Sequence, residues 1–472
     1  MDINQLTIKR QKMVAAMGAE YSDTLDDLNW VSEAQAREAE GRRAQVLAAL
    51  SPHLAIDFKQ TKPHLGPLSP GCRTCGDGAW SCLFINGKCN CRCFYCPTSQ
   101  DEIGIPTTNQ VPFAKASDYA DYVQHFQFRG VSISGGEPLL TFDRTVRYIE
   151  AVRRKMGDGI HLWLYTNGTL LSTSHLGRLR DAGLNEIRLD ISAADYRLDK
   201  AAMAVGVIPC VTIEIPAIPE DHQRLEALLP VMQEIGINHL HLHQLRLTPH
   251  NRARLTQRPY TYLHGEKVTV LESELTALAL IQTACSQAIR LPINYCSFVY
   301  KHRYQRAAAR RRNARLVLKD HETITENGYI RSLTLRGAPE YIATQAGRLD
   351  GAADRGLWQL NSARDRLSFH PSLWSLIDDA AGDLLIGYAE AALRAHISYR
   401  FYFKEIPVNP DKRLYIERRP MLREVGLDAE QRQGLRTHLI SPSAASPATR
   451  APGGLGPIIE YEFIEPGLQD YF

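Results

Sequence analysis

The sequence predicts an α/β protein built on a parallel sheet. Two observations carry this. Through the middle of the chain, short strand-like runs alternate with longer stretches of helical periodicity. Strands separated by helices of that length form βα units, whose strands run parallel. The chain is also long, 472 residues with 44% hydrophobic content. That is enough for a sizeable core and for two or three domains.

Residues 1 to about 50 read as helical, because residues 34–43 are rich in good helix formers. Their broad polar faces suit a cap on the main domain. Pro52, Pro63, Pro67 and Pro70, with Gly66 and Gly71, then break regular structure. Residues 83–87 give the first strand of the main domain. Residues 117–126 follow as a helix with Tyr119, Tyr122, Val123 and Phe126 on one face. Residues 131–134 are the second strand, and Phe142, Val146, Ile149, Val152 and Met156 recur at helical spacing. Residues 161–165 are the third strand. Leu176 and Leu179 mark a helix capped by residues 172–174 and stopped by Gly183. The fourth and fifth strands are 186–191 and 211–215. A helix carrying Leu225, Leu229 and Met232 comes next, with Pro230 inside it. Residues 239–247 are the sixth strand and 271–288 a strong helix.

Beyond this lies an α+β region expected to cover the substrate. It has strand-like runs at 328–333 and 399–403 and a helix around 384–393. Residues 441–456 are rich in Ser, Pro, Ala and Gly, as a flexible linker is. The last residues, from 458, are apolar and aromatic enough to dock on the body. The expected division is a helical extension 1–70, a main domain 71–300 with its Cys-rich loop 72–96, a C-terminal region 301–440, and a linker and tail 441–472.

Several function classes are disfavoured. A net charge of +3 is too small to argue for nucleic acid. An arginine-rich stretch from Arg303 to Arg315 reads as a solvated helix face rather than a nucleic-acid patch. No run of about 18 apolar residues exists to cross a membrane. The first residues lack the pattern of a signal peptide, so the chain is expected in the cytoplasm, with reduced thiols.

The cysteines carry the chemistry. Of ten, all but Cys210, Cys285 and Cys296 fall between Cys72 and Cys96. Clustering of this kind in a long intracellular chain points to metal rather than disulfides. Cys89, Cys93 and Cys96 have the spacing C-x3-C-x2-C. Three thiolates in one loop can hold three irons of a 4Fe-4S cluster and leave the fourth open to substrate. A structural zinc would want a closed shell of four. Cys91 lies between these ligands as a bystander. Cys72, Cys75 and Cys82 form a further set that could hold a second iron–sulfur cluster or a zinc, with Cys296 as the fourth ligand.

The C-x3-C-x2-C loop, with Tyr95 before its last cysteine, resembles the signature of the radical S-adenosylmethionine superfamily. Gly135-Gly136-Glu137-Pro138 after the second strand resembles that family's GGEP turn, and Tyr165-Thr166-Asn167-Gly168 its TNG turn. The resemblance covers roughly residues 80–300 and implies a partial (β/α)6 barrel like an incomplete TIM barrel. In such barrels functional groups gather at the C-terminal ends of the strands, where residues 135–138, 166–168, 190–192 and 216–220 fall.

The resemblance implies further roles. Cys89, Cys93 and Cys96 hold a 4Fe-4S cluster whose open iron binds S-adenosylmethionine. Gly135, Gly136 and Glu137 present backbone carbonyls to the cofactor's amino group. Asp190 or Ser192 reaches the ribose, Tyr95 packs near the adenine, and Arg246 neutralises the carboxylate. Reductive cleavage then yields a radical that takes hydrogen from an organic substrate, with an electron donor such as flavodoxin or ferredoxin. Among members, the chain looks nearest to the group related to pyruvate formate-lyase activating enzymes. Its long C-terminal region departs from true activases and weighs against glycyl-radical installation. The alternatives are a maturase acting on a peptide or protein, or an activase after all. From a different class comes a non-catalytic zinc or iron–sulfur protein that binds nucleic acid. His239, His241 and His243 share one strand face by period two. They suit a polar lumen better than the metal site of a hydrolase barrel.

Overall fold

The computed structural model describes residues 27–440 and 454–471, with residues 11–15, 17, 18, 21 and 25. Residues 1–10 of the expected N-terminal helical stretch and residues 441–453 of the expected linker lie outside the described residues. The chain forms two compact units, one of residues 1–305 with 467–472, the other of residues 306–466.

The first unit is an eleven-stranded open sheet. Its strands are β1 (Leu54–Ile56), β2 (Lys62–Leu65), β3 (Trp80–Asn86), β4 (Thr107–Thr108), β5 (Val111–Pro112), β6 (Gly130–Gly135), β7 (His161–Thr166), β8 (Glu186–Leu189), β9 (Cys210–Pro216), β10 (His239–His243) and, after the hairpin β11 (Tyr262–Leu263) and β12 (Thr269–Val270), β13 (Ile293–Cys296). The sheet order is β1-β2-β13-β10-β9-β8-β7-β6-β3-β4-β5. From β3 through β6, β7, β8, β9 and β10 to β13 every pair is parallel. All six strands read from the sequence are there, joined by helices, and β13 adds a seventh. This is a partial barrel of six βα units, left open and extended at each edge by a short antiparallel ribbon.

The helices follow their sequence signals. Ser172 caps Thr173–Asp181 by accepting from the amide of His175, which satisfies one of the orphan donors of a helix start. Pro230 is accommodated inside His222–Ile235. The helix Glu33–Leu50 opens with a capping box between Ser32 and Gln35. Its Arg43 pairs with Glu274 at 3.0 Å and donates to the carbonyl of Gln469 at 2.6 Å. Tyr471 also reaches Glu274, so the chain's last residues dock on this first unit. The sixth strand is shorter than expected. After His243 the chain leaves the sheet, and Leu247 donates to Val268, beside the hairpin.

The second unit is a seven-stranded antiparallel sheet: β14 (Thr323–Ile324), β15 (Ile330–Arg336), β16 (Trp358–Leu360), β17 (Arg366–Phe369), β18 (Asp383–Arg394), β19 (Phe403–Asn409) and β20 (Lys412–Gly426). The helix expected around residues 384–393 is instead the long strand β18. Its Leu, Ala and Glu favour a helix. Pairing with β15 on one side and β20 on the other overrides that preference, since Leu384, Leu385, Ile386 and Tyr388 are all buried there. The run 399–403 is loop except at Phe403, and Tyr399 is 82% exposed.

Within this unit Arg331 and Glu462 are buried together, 2.5 Å apart, and the Tyr388 hydroxyl donates to the same carboxylate at 2.6 Å. Removing one partner of a buried pair leaves a charge without its counter-charge, which costs about 3–5 kcal/mol. Glu462→Ala is therefore expected to lower the urea midpoint of this unit markedly. Urea titration followed by far-ultraviolet circular dichroism reads this.

Candidate active site

The loops after β3, β6, β7 and β8 build the site at the C-terminal ends of the strands. The loop after β3 carries Cys89, Cys93 and Cys96. It is tied down from several sides. The amides of Gly136 and Glu137 donate to the carbonyls of Asn86 and Lys88, each at 2.8 Å. Asn167 donates to Asn90 at 2.9 Å and its amide group lies 3.8 Å from the Cys89 sulfur. Arg254 donates to the Cys93 carbonyl and Asn251 to the Tyr95 carbonyl, both at 3.0 Å. Cys91 turns its thiol to the Ala193 carbonyl.

The two glycines of the GGEP turn have a reason visible in the packing. A Cβ on Gly135 would sit 2.3 Å from the Asn86 oxygen, and one on Gly136 2.2 Å from the Lys88 oxygen. Gly135 also has φ +153, a conformation glycine adopts most readily. The turn therefore lies directly on the backbone that leads into the cysteine loop, and only glycine permits that approach.

Glu137 acts through its side chain. It is fully buried. Its carboxylate accepts from the Leu139 amide at 2.9 Å, the Thr166 hydroxyl at 2.7 Å and the Asn167 amide at 2.8 Å. It thus locks the turn after β6 to the turn after β7. Burial pushes its carboxyl up, and these donors pull it back. Glu137→Gln turns an amide donor toward an existing donor, a mismatch costing about 1–3 kcal/mol. If the turn holds S-adenosylmethionine as the family resemblance implies, the cofactor concentration for half-maximal cleavage is expected to rise about tenfold or more. Initial rates at varied cofactor concentration check it.

Three residues predicted from the sequence meet at the end of β8. The Tyr95 hydroxyl lies 2.9 Å from Asp190 Oδ2 and 2.6 Å from Ser192 Oγ. Ser192 Oγ donates to Asp190 Oδ1 at 2.5 Å. Burial raises the Asp190 carboxyl, with hydrogen bonds from Ser192 and Tyr95 opposing it. The Arg246 guanidinium lies 5.4 Å from the Phe298 ring centre, and the Asn251 side chain donates to the backbone carbonyls of both Arg246 and Tyr95.

The remaining predicted ligands divide. The thiol of Cys82 on β3 meets Ser134 Oγ at 3.5 Å. Cys72 and Cys75 lie on the short helix Pro70–Gly76, and Cys75 is within electrostatic reach of both Cys72 and Cys296. Cys72 Sγ stands 3.6 Å from His241 Nε2. Cys296 is in register with His243 on the neighbouring strand and hydrogen-bonds to it. Burial pushes the Cys72 thiol up, but His241, Lys62 and Arg188 hold it down at about 6.

A lumen network that sequence reasoning missed surrounds these groups. Arg188 bridges Glu186 at 2.8 Å and Glu214 at 2.7 Å. Glu214 also accepts from His241 at 3.2 Å and contacts His243, while Lys301 lies 2.7 Å from His243 Nδ1. The signal was present: charged residues at alternate positions inside otherwise apolar parallel strands have to face a polar interior. His241 and His243 of β10 accordingly belong to this network. The arginine-rich stretch is partly internal too. Arg303 pairs with Glu266 at 2.9 Å, and Arg310 donates to the Asn327 carbonyl at 2.8 Å.

Among the described residues no three His, Cys, Asp or Glu side chains are close enough together to grip one ion. The fit of the cysteine loop to an iron–sulfur cluster rests on its donors and mounting. It offers three soft sulfur ligands within eight residues, on backbone pinned by the GGEP and TNG turns. Burial pushes the Cys93 thiol up to about 12, so its binding to a cluster must release a proton.

Residues 83–207 match the family described as the radical SAM superfamily. A Methanocaldococcus jannaschii protein named for glycyl-radical enzyme activation is 29% identical over 291 residues, 59% of this chain and 75% of that one. A GTP 3′,8-cyclase of Rhodopirellula baltica is 34% identical over 115 residues, 24% of this chain, and the chain spans only 31% of its length. Among solved structures, Streptococcus suis SuiB bound to precursor peptide SuiA has a TM-score of 0.37 at 14% identity, covering 63% of this chain and 64% of that one.

Proposed function

We propose that this chain, whose residues 83–207 match the radical SAM superfamily, is a radical SAM enzyme, that Cys89, Cys93 and Cys96 hold its 4Fe-4S cluster, and that the cofactor lies between that loop and the ends of β6 to β8. The observation that carries the reading is the Glu137 carboxylate. It fastens the GGEP and TNG turns together beneath the cysteine loop. Bound there, the cluster and S-adenosylmethionine supply reductive cleavage to methionine and a 5′-deoxyadenosyl radical that takes hydrogen from an organic substrate.

The protein's own residues position and shield. The backbone of Gly135, Gly136 and Glu137 faces the cofactor's amino group. Asp190 and Ser192, held by Tyr95, meet the ribose. Arg246 is assigned to the carboxylate. The electron comes from a small carrier such as flavodoxin or ferredoxin. A substrate that enters the lumen meets Lys301, His243 and Glu214, so it carries polar or ionised groups.

A second reading has one observation behind it. The M. jannaschii relative is named for glycyl-radical enzyme activation and is matched over three quarters of its length. On that reading the substrate is a glycine of a partner protein. Anaerobically reconstituted protein, reduced with dithionite, should convert S-adenosylmethionine to 5′-deoxyadenosine, read by liquid chromatography and mass spectrometry. No cleavage at full iron loading defeats both readings. Appearance of a glycyl radical signal with a co-purified partner would select the second.

A further inference from the structure

Three consecutive residues of the cysteine loop are held from one short stretch beyond β10. Arg254 donates to the Cys93 carbonyl at 3.0 Å. The Arg258 guanidinium lies 3.6 Å from the centre of the Phe94 ring and pairs with Glu220. Asn251 donates to the Tyr95 carbonyl at 3.0 Å.

Asn251 is the centre of this stretch, and it is fully buried. Its Oδ1 accepts from the Thr248 amide at 2.7 Å, which fixes the way its own side chain points. The Asn251 amide in turn donates to Thr248 Oγ1 at 3.2 Å. Nδ2 is thereby aimed at two acceptors, the carbonyls of Tyr95 and Arg246, each at 3.0 Å. A primary amide has two N–H donors, and each of these carbonyls takes a bond from this one nitrogen. Aspartate could keep the bond from Thr248 but offers no donor to either carbonyl. An apolar side chain of similar size would leave all three backbone groups unpaired, a heavy cost for buried polar atoms.

We propose that Asn251, aided by Arg254, is a positioning residue that sets S-adenosylmethionine against the iron–sulfur cluster. The inference rests on the cofactor site proposed above. On that reading, contacts to three parts of the site converge on one amide group. Tyr95 precedes the ligand Cys96, and its hydroxyl reaches Asp190 and Ser192, assigned to the ribose. Arg246 is assigned to the cofactor's carboxylate. Asn251 fixes the backbone of both, so the cysteine loop and the arm bearing Arg246 move apart only by breaking a buried hydrogen bond. Arg254 adds a second tie at the ligand Cys93. Small misplacements that leave a fold intact are costly to a reaction that depends on its partners' geometry.

Asn251→Ala in the full, iron-reconstituted chain tests this. Circular dichroism and iron content should stay native, because the three cysteines are untouched. The S-adenosylmethionine concentration that half-changes the g-values of the reduced cluster signal is expected to rise about tenfold or more. The concentration for half-maximal cleavage should rise by the same factor. A merely structural role would lower the melting temperature and move neither concentration, and that result overturns the proposal. Loss of iron from a folded variant also overturns it, since the residue would then hold the cluster rather than place the cofactor. Should Asn251→Ala not fold, Arg254→Met serves, because its side chain is only half-buried. A rise of about threefold is expected there, and an unchanged concentration overturns the proposal. Wild-type protein is the reference. If its own signal ignores S-adenosylmethionine, the cofactor site falls and this proposal with it. A responsive wild type beside an unaltered variant removes the proposal alone.

Discussion

Replacing Cys89, Cys93 or Cys96 singly by Ala is expected to abolish S-adenosylmethionine cleavage and to strip most of the iron bound at this loop. On the proposed assignment each thiolate is the protein ligand of one iron, with no neighbouring cysteine placed to replace it. Cys91 is the nearest in sequence, yet its thiol is directed to the Ala193 carbonyl. Cys91→Ser supplies the contrast, since it should keep both iron and cleavage. Iron content and 5′-deoxyadenosine yield, measured on the same preparations, separate loss of the cluster from loss of the fold. A single variant that retained full cleavage would remove that cysteine from the ligand set.

The second large effect lies in backbone rather than side chain. Gly136→Ala places a methyl group 2.2 Å from the Lys88 oxygen, and Gly135→Ala one 2.3 Å from the Asn86 oxygen. Both obstacles are backbone, so no side chain can swing aside. Overpacking of this kind costs about 1–3 kcal/mol and often more when backbone must move. Either the GGEP turn lifts or the cysteine loop shifts, and both undo the mount of the cluster. Reconstituted iron and cofactor binding should fall together in either variant. Gly177→Ala is the matched control. Gly177 lies inside the helix Thr173–Asp181 with nothing within 4 Å of its added carbon. That change should stabilise the chain by up to about 1 kcal/mol and leave iron loading unchanged.

Much of this site was legible from sequence because its parts are local. The cysteine spacing, the paired glycines and the TNG turn are each read within a few residues. The alternation of strand and helix put them at one end of the sheet. Tyr95, Asp190 and Ser192 were each picked from position alone, and they meet in one hydrogen-bonded group.

What escaped the sequence depends on distant partners. Glu137 was read for its backbone, whereas its carboxylate joins two turns that are 30 residues apart. Arg188 pairs with Glu186 two residues before it and with Glu214 on the neighbouring strand, and the second pairing lies beyond the reach of a local pattern. Spacing groups Cys82 with Cys72 and Cys75, and its contact with Ser134 on the neighbouring strand, 52 residues on, is one no local pattern shows. The strand β18 was mistaken for a helix because its residues favour one locally, while both of its sheet neighbours lie far along the chain. Propensity and spacing report what a segment prefers by itself. Tertiary pairing decides which of those preferences survives.

Electron paramagnetic resonance of the reduced protein, recorded before and after adding S-adenosylmethionine, tests the central claim most directly. An iron left open by three cysteine ligands predicts a 4Fe-4S signal that changes its g-values when the cofactor binds. A signal that stays the same at saturating cofactor, or the absence of a cluster signal in iron-loaded protein, would contradict it.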